Sequence, residues 1–102
     1  MEREVKLRLI ELIQTYCKRI STDFIFTSDA DGLIYAAVYG KKMSKHMGYT
    51  KTKNARIINT ATSEEKKMVA EIRNYLEEKK IFNRTNTGKY IIADSVLNYK
   101  EC

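Results

Sequence analysis

The chain has 102 residues, a mass of 11.9 kDa and a formal net charge of +6, from 19 Lys and Arg against 13 Asp and Glu. Hydrophobic residues make up 43% and charged residues 31%, the balance of a soluble globular domain. A chain of this length buries one core without staples, so collagen-like, low-complexity and disulfide-scaffold classes are excluded and a single domain over 1–102 is expected.

In the first segment Val5, Leu9, Leu12, Ile13, Tyr16, Cys17 and Ile20 share one face of a 3.6-residue period, which predicts an amphipathic helix. Glu2–Lys6 and Glu4–Arg8 are i,i+4 pairs in the favourable order, and Lys18 and Arg19 suit the negative end of the helix dipole. Ser21, Thr22 and Asp23 break the period. Cys17 falls on the apolar stripe and reads as a small buried hydrophobe, while Cys102 is the last residue. Two cysteines so far apart make no scaffold, and a reducing, intracellular setting fits them.

Residues 24–28 form a short β-rich run, Asp29-Ala30-Asp31-Gly32 is a turn signal, and residues 33–39 are a second apolar run. Together they predict a β-hairpin. Both faces of the second run are apolar, which predicts a central strand. Asp29-x-Asp31-Gly32 has the start of a calcium loop, but Leu33 and Gly40 stand where further oxygen ligands belong.

Residues 40–61 are irregular. They hold Lys41, Lys42, Lys45, Lys51, Lys53 and Arg56, with Met43, Met47, Tyr49 and the single histidine, His46, between them. A short helix over 41–47 and a short strand over 55–59 are expected. No Asp or Glu occurs from 32 to 63, so the six cations there account for the whole excess of +6.

Thr62 with Glu65 three residues on is a capping box, and it opens a second helix with an apolar stripe of Met68, Val69, Ile72, Tyr75 and Leu76. Residues 81–84 read as a strand, Thr85-Asn86-Thr87-Gly88 as a turn, and residues 89–93 as a return strand, with an ill-defined tail from 94.

A shift of 56 residues superposes Ile13 on Val69, Tyr16 on Ile72, Ile20 on Leu76, Ile25-Phe26 on Ile81-Phe82, Gly32 on Gly88 and Ala37 on Ala93. The expected fold is therefore α+β: two helix–β-hairpin (αββ) units, 1–39 and 62–102, joined by a basic connector over 40–61. They would form a pseudo-two-fold repeat around one core, with a seam between them. Such seams are favoured places for ligands.

One histidine and two distant cysteines make no zinc site, and there is neither a Walker A loop nor a GxGxxG. Nothing orients His46 as part of a nucleophilic site, so no enzyme activity, metal or cofactor is expected.

Two binding readings remain. The first is a non-enzymatic protein–protein interaction module. It takes a peptide or protein partner in the groove between the two units, through Tyr35, Tyr39, Met43, Met47 and Tyr49. The alternative is DNA or RNA binding through Lys41, Lys42, Lys45, Lys51, Lys53 and Arg56, whose charge suits phosphates. A winged-helix variant of the alternative would use the second helix and a hairpin carrying Arg84 and Lys89. It lacks a clear partner helix in 40–61, and Glu64, Glu65, Glu71, Glu77 and Glu78 oppose insertion into a groove.

No run approaches the ~18 apolar residues of a membrane span, and the N-terminus has no signal-peptide pattern. Proline is absent and glutamine occurs once, at Gln14, while Lys, Ile, Glu and Tyr abound, a hyperthermophile tendency. In length, missing proline, this usage and a single-domain layout, the chain resembles the small proteins of the lipothrixviruses, filamentous viruses of hyperthermophilic archaea. The resemblance implies the cytoplasm of an archaeal host cell, and roles in replication, regulation, or host and virion interaction. It carries no residue role.

Overall fold

The first apolar stripe folds as α1 (Arg3–Ile20) in a computed structural model that describes residues 2–40 and 57–100. Its buried side, Leu9, Ile10, Ile13, Tyr16 and Cys17, is the stripe the period predicts. Ser21 ends it in the left-handed region at φ 53°, and the Thr22 amide donates to the Cys17 carbonyl at 3.0 Å.

The next segment corrects the sequence reading. Phe24–Phe26 forms β1, but no hairpin follows. Thr27–Tyr39 is a helix, α2, which takes in the expected turn at 29–32 and the expected strand at 33–39. The physical reason is burial all round. Ala30, Gly32, Leu33, Ile34, Tyr35, Ala36 and Ala37 are all buried, because α2 packs against α1, β1 and the third helix. A helix apolar on every side has lost the 3.6 period, and its sequence then matches a buried strand equally well. Gly40 closes it at φ 65°, its amide bonded to the Ala36 carbonyl.

Ile57–Thr60 is a 3-10 turn rather than the expected strand over 55–59. The expected helix over 41–47 lies outside the described residues. The Thr62 cap is formed as read: its hydroxyl accepts from the Glu65 amide at 3.1 Å, and the Glu65 carboxylate accepts from the Thr62 amide at 2.8 Å. The helix it opens, α3, spans Ser63–Glu78 and buries Val69 and Leu76. The second hairpin also forms, as β2 (Phe82–Arg84) and β3 (Lys89–Ile92), with Gly88 at φ 76° in its turn. A last helical turn, α4 (Asp94–Leu97), begins the tail. The Gln14 side chain pins it by donating to the carbonyls of Val96 at 2.8 Å and Tyr99 at 3.0 Å.

The chain is α+β, with four α-helices and one antiparallel three-stranded sheet of order β1-β3-β2 among the described residues. The duplicated αββ arrangement is not what forms. The first half runs helix–strand–helix and the second helix–strand–strand–helix. What recurs is the helix–strand pair: α1–β1 and α3–β2 both deliver a strand antiparallel to β3, one on each side of it. Ile25, Phe82, Tyr90 and Ile92 face the helices and are buried.

Candidate functional site

α1 and α3 both pack on α2, and a cleft lies between them. Its upper part is a depression of about 320 Å³ lined by Val5, Val38, Met68, Ile72 and Tyr75, with Glu2 and Glu71 at the rim. A second hollow of about 140 Å³ continues along Leu9, Ile10, Ile13, Leu76, Ile81 and Val96, beside Lys6. Tyr75 lines both and joins them into one trough. Met68 and Tyr75 are each 44% exposed, the most open of the exposed large apolar groups among the described residues.

These side chains reach the cleft because the α3 stripe is wider than the contact with α2. Val69 and Leu76 point into the core and are at most 3% exposed. Met68, Ile72 and Tyr75 lie one position to the side on the helical wheel and turn toward α1. On the outer side of α3 stand Glu64, Glu71 and Glu78, all exposed, seven positions apart.

Three polar clusters set the frame around the cleft. In the interior the Tyr16 hydroxyl donates to Asp29 Oδ2 at 2.5 Å, and accepts from the Phe26 amide at 3.3 Å. Asp29 is 0% exposed and stands in the first turn of α2, where the helix dipole favours a carboxylate. Burial, reinforced by that carboxylate, pushes the Tyr16 hydroxyl well above its ordinary titration range. Burial also pushes the neighbouring Cys17 thiol up to about 11.

Between α2 and α3, Arg73 Nη1 reaches both oxygens of Asp31 at 2.7 and 2.8 Å. At the far end of α3, the Tyr90 hydroxyl donates to Glu77 at 2.5 Å, while Arg84 bonds both Tyr90 and Glu77. The Tyr90 hydroxyl, helped by Arg84, holds Glu77 below the usual carboxylate range.

The residues singled out in the sequence fare unevenly. Tyr35 is 2% exposed, inside α2 and against the Tyr39 ring at 5.2 Å, so it offers no contact surface. The reason is the helix in place of the expected strand. Tyr39 is 37% exposed at the end of α2. Met43, Met47 and Tyr49 lie outside the described residues, as do Lys41, Lys42, Lys45, Lys51, Lys53, Arg56 and His46. Sequence reasoning placed Met68, Ile72 and Tyr75 in the core stripe and so missed the cleft. The available signal was the width of that stripe: five apolar positions across a helix whose core contact needs two.

Among the described residues, no group of three or more His, Cys, Asp or Glu is placed to hold a metal ion, and no helix is long and apolar enough to cross a membrane. No protein-family model, curated protein or solved structure matches the chain.

Proposed function

We propose that the chain is a non-enzymatic docking module that takes a protein or peptide partner in the cleft between α1 and α3. The observation that carries this reading is the apolar trough itself, open at Met68 and Tyr75 and edged by Glu2 and Glu71. Exposed methionine and tyrosine beside a pocket are the composition of an interface centre. The rim carboxylates favour a segment that presents apolar side chains flanked by Lys or Arg. The groove expected between two repeated units is thereby moved. It runs between the helices that head the two halves, and its contacts are Val5, Val38, Met68, Ile72 and Tyr75. In the viral setting implied by the sequence, the partner is a host or virion protein inside the host cell.

The test is anisotropy with labelled amphipathic peptides of basic and of acidic flank. Basic-flanked peptides bind, Tyr75→Ala weakens them about tenfold or more, and Glu71→Lys reverses the preference for flanking charge. Equal binding of both peptide classes to the parent and to Tyr75→Ala overturns the reading.

One observation favours a second reading, duplex nucleic-acid binding. α2 is a helix packed on α3, and a hairpin follows α3, so the helix whose lack counted against a winged-helix arrangement is present. The six cations over 41–56 lie between these two helices in the chain. Against it stand Glu64, Glu71 and Glu78 on the outer side of α3, where phosphates and base edges would have to approach. A gel shift with duplex DNA at two salt concentrations decides. Absence of binding at low salt removes it.

A further inference from the structure

The sheet has a second face. Its inner side chains are covered by the helices, and alternation along the strands turns Phe24 and Phe26 of β1, Lys89 and Ile91 of β3, and Asn83 of β2 the other way. Phe24 and Phe26 are half-buried, with ring centroids 5.5 Å apart at an interplanar angle of 79°. Ile91, on the central strand, is 42% exposed. Register places Phe24 opposite Ile91 and Phe26 opposite Lys89, so the rings, the aliphatic and the cation form one patch. The Lys89 ammonium stands 4.6 Å from the Phe24 ring centroid.

Along the hairpin itself the charge has one sign. From 79 to 93, the stretch that contains both hairpin strands, there is no Asp or Glu, and there are four cations: Lys79, Lys80, Arg84 and Lys89. Arg84 is engaged with Glu77, and Lys79 lies over Tyr75 on the cleft side. Lys89 therefore stands on the face, and Lys80 at its β2 edge, where its backbone carbonyl accepts from Asn83 Nδ2 at 2.9 Å. The exposed carboxylates Asp23 and Asp94 flank the other end of the strands, away from the hairpin turn. The patch thus combines flat rings with cations at one end, which suits a chain of bases strung on phosphates. An amphipathic helix with basic flanks, the partner argued for the cleft, is repelled here.

We propose that this face binds single-stranded nucleic acid: the Lys89 ammonium moves from the Phe24 ring to a phosphate, and bases stack on the faces that Phe24 and Phe26 then leave open. Every base has a π-face, so ring stacking recognises single strands with little regard to sequence. Strands ~4.8 Å apart, of three or four residues at ~3.3 Å each, make a platform of about two nucleotides, the scale on which small antiparallel sheets take bases in RNA-binding domains. A duplex hides its base faces and does not fit. The proposal does not depend on the cleft, which shares no lining residue with this face.

Anisotropy with a short labelled oligothymidylate, an oligouridylate and a duplex of the same length tests it at low and moderate salt. The single strands bind and the duplex does not. Phe24→Leu and Phe26→Leu keep an apolar cover on the sheet but remove the ring, and each weakens single-strand binding about tenfold with unchanged circular dichroism. Lys89→Gln lowers the slope of log affinity against log salt by about 0.7. Replacing the six cations of 41–56 by Gln leaves the leucine effects in place. Leucine variants that bind like the parent, equal binding of the duplex, or no single-strand binding at low salt each overturn the proposal.

Discussion

Residues 29–32 and 85–88 stand in equivalent places after two similar helix–strand openings, yet one starts a helix and the other turns a hairpin. Both stretches end in glycine and both precede an apolar run. The difference lies in what their side chains meet. Asp29 stands in the first turn of α2, where a carboxylate suits the helix dipole, Asp31 stands in the next, and each finds a donor elsewhere in the molecule, Tyr16 of α1 and Arg73 of α3. Gly32 has no positive φ and lies buried within α2. Among the described residues Thr85, Asn86 and Thr87 show no such hydrogen bonds to helices, and Gly88 supplies the left-handed residue that the turn needs. Its carbonyl then ties the turn to the end of β1, accepting from the Thr27 amide at 3.0 Å. A turn signal is thus a local preference that distant partners can overrule.

The largest expected effect breaks the first of these two arrangements. Tyr16→Phe removes a hydrogen-bond donor from a fully buried carboxylate and costs about 1.5–3 kcal/mol, read as a lower urea midpoint with an unchanged slope. A loss under about 1 kcal/mol would show that Asp29 does not depend on Tyr16. The pH profile sharpens the point. Tyr16 holds its proton more tightly folded than unfolded, so its contribution is complete below the ordinary tyrosine value of 10.0 and is lost as pH climbs past it. Cys17, raised from 9.0 to about 11, adds a loss of the same sign that starts lower. Tyr16→Phe should therefore keep the early alkaline decline and lack the later one.

The same contrast explains what was legible beforehand. α1, the Thr62 capping box, α3 and the second hairpin were readable because each carries a local signature: one apolar stripe, two reciprocal hydrogen bonds, or alternation around a glycine turn. Tyr90 and Ile92 point inward while Lys89 and Ile91 point outward, which is the alternation a half-covered strand must show. Leu33 to Val38 have no alternation, because α2 is enclosed on all sides, and enclosure depends on α1 and α3, not on neighbours in sequence. The cleft was illegible for a related reason. Nothing in Met68, Ile72 or Tyr75 distinguishes an apolar residue facing a helix from one facing a gap beside it.

Gly88→Ala tests the hairpin side. At φ 76° an added Cβ would meet only the Thr27 hydroxyl, at 3.9 Å, so the cost is backbone strain of about 1–2 kcal/mol and not a clash. Gly40→Ala, at φ 65° with none of the described residues within 4 Å of an added Cβ, should lose a similar amount. Near-equal shifts in thermal midpoint would show that both positions are held by conformation alone. A much larger loss at Gly88 would mean that the Thr27–Gly88 junction does more than close a turn.

The smallest effect concerns Asp31, the carboxylate that the hairpin turn has no counterpart for. Its pair with Arg73 is short, both carboxylate oxygens accepting from the one Nη1, but the two side chains are 32% and 28% exposed, which lets water and salt weaken it. Asp31→Asn should cost about 0.5–1 kcal/mol at low salt. The gap to the parent should close as salt approaches about 1 M, where screening acts over ~3 Å. Tyr16→Phe provides the control, since a buried pair is screened far less and its deficit should persist. If the Asp31→Asn deficit also persisted, the pair would be setting the angle of α3 on α2 rather than adding attraction. The cleft between α1 and α3 depends on that angle, so peptide binding would then weaken together with stability.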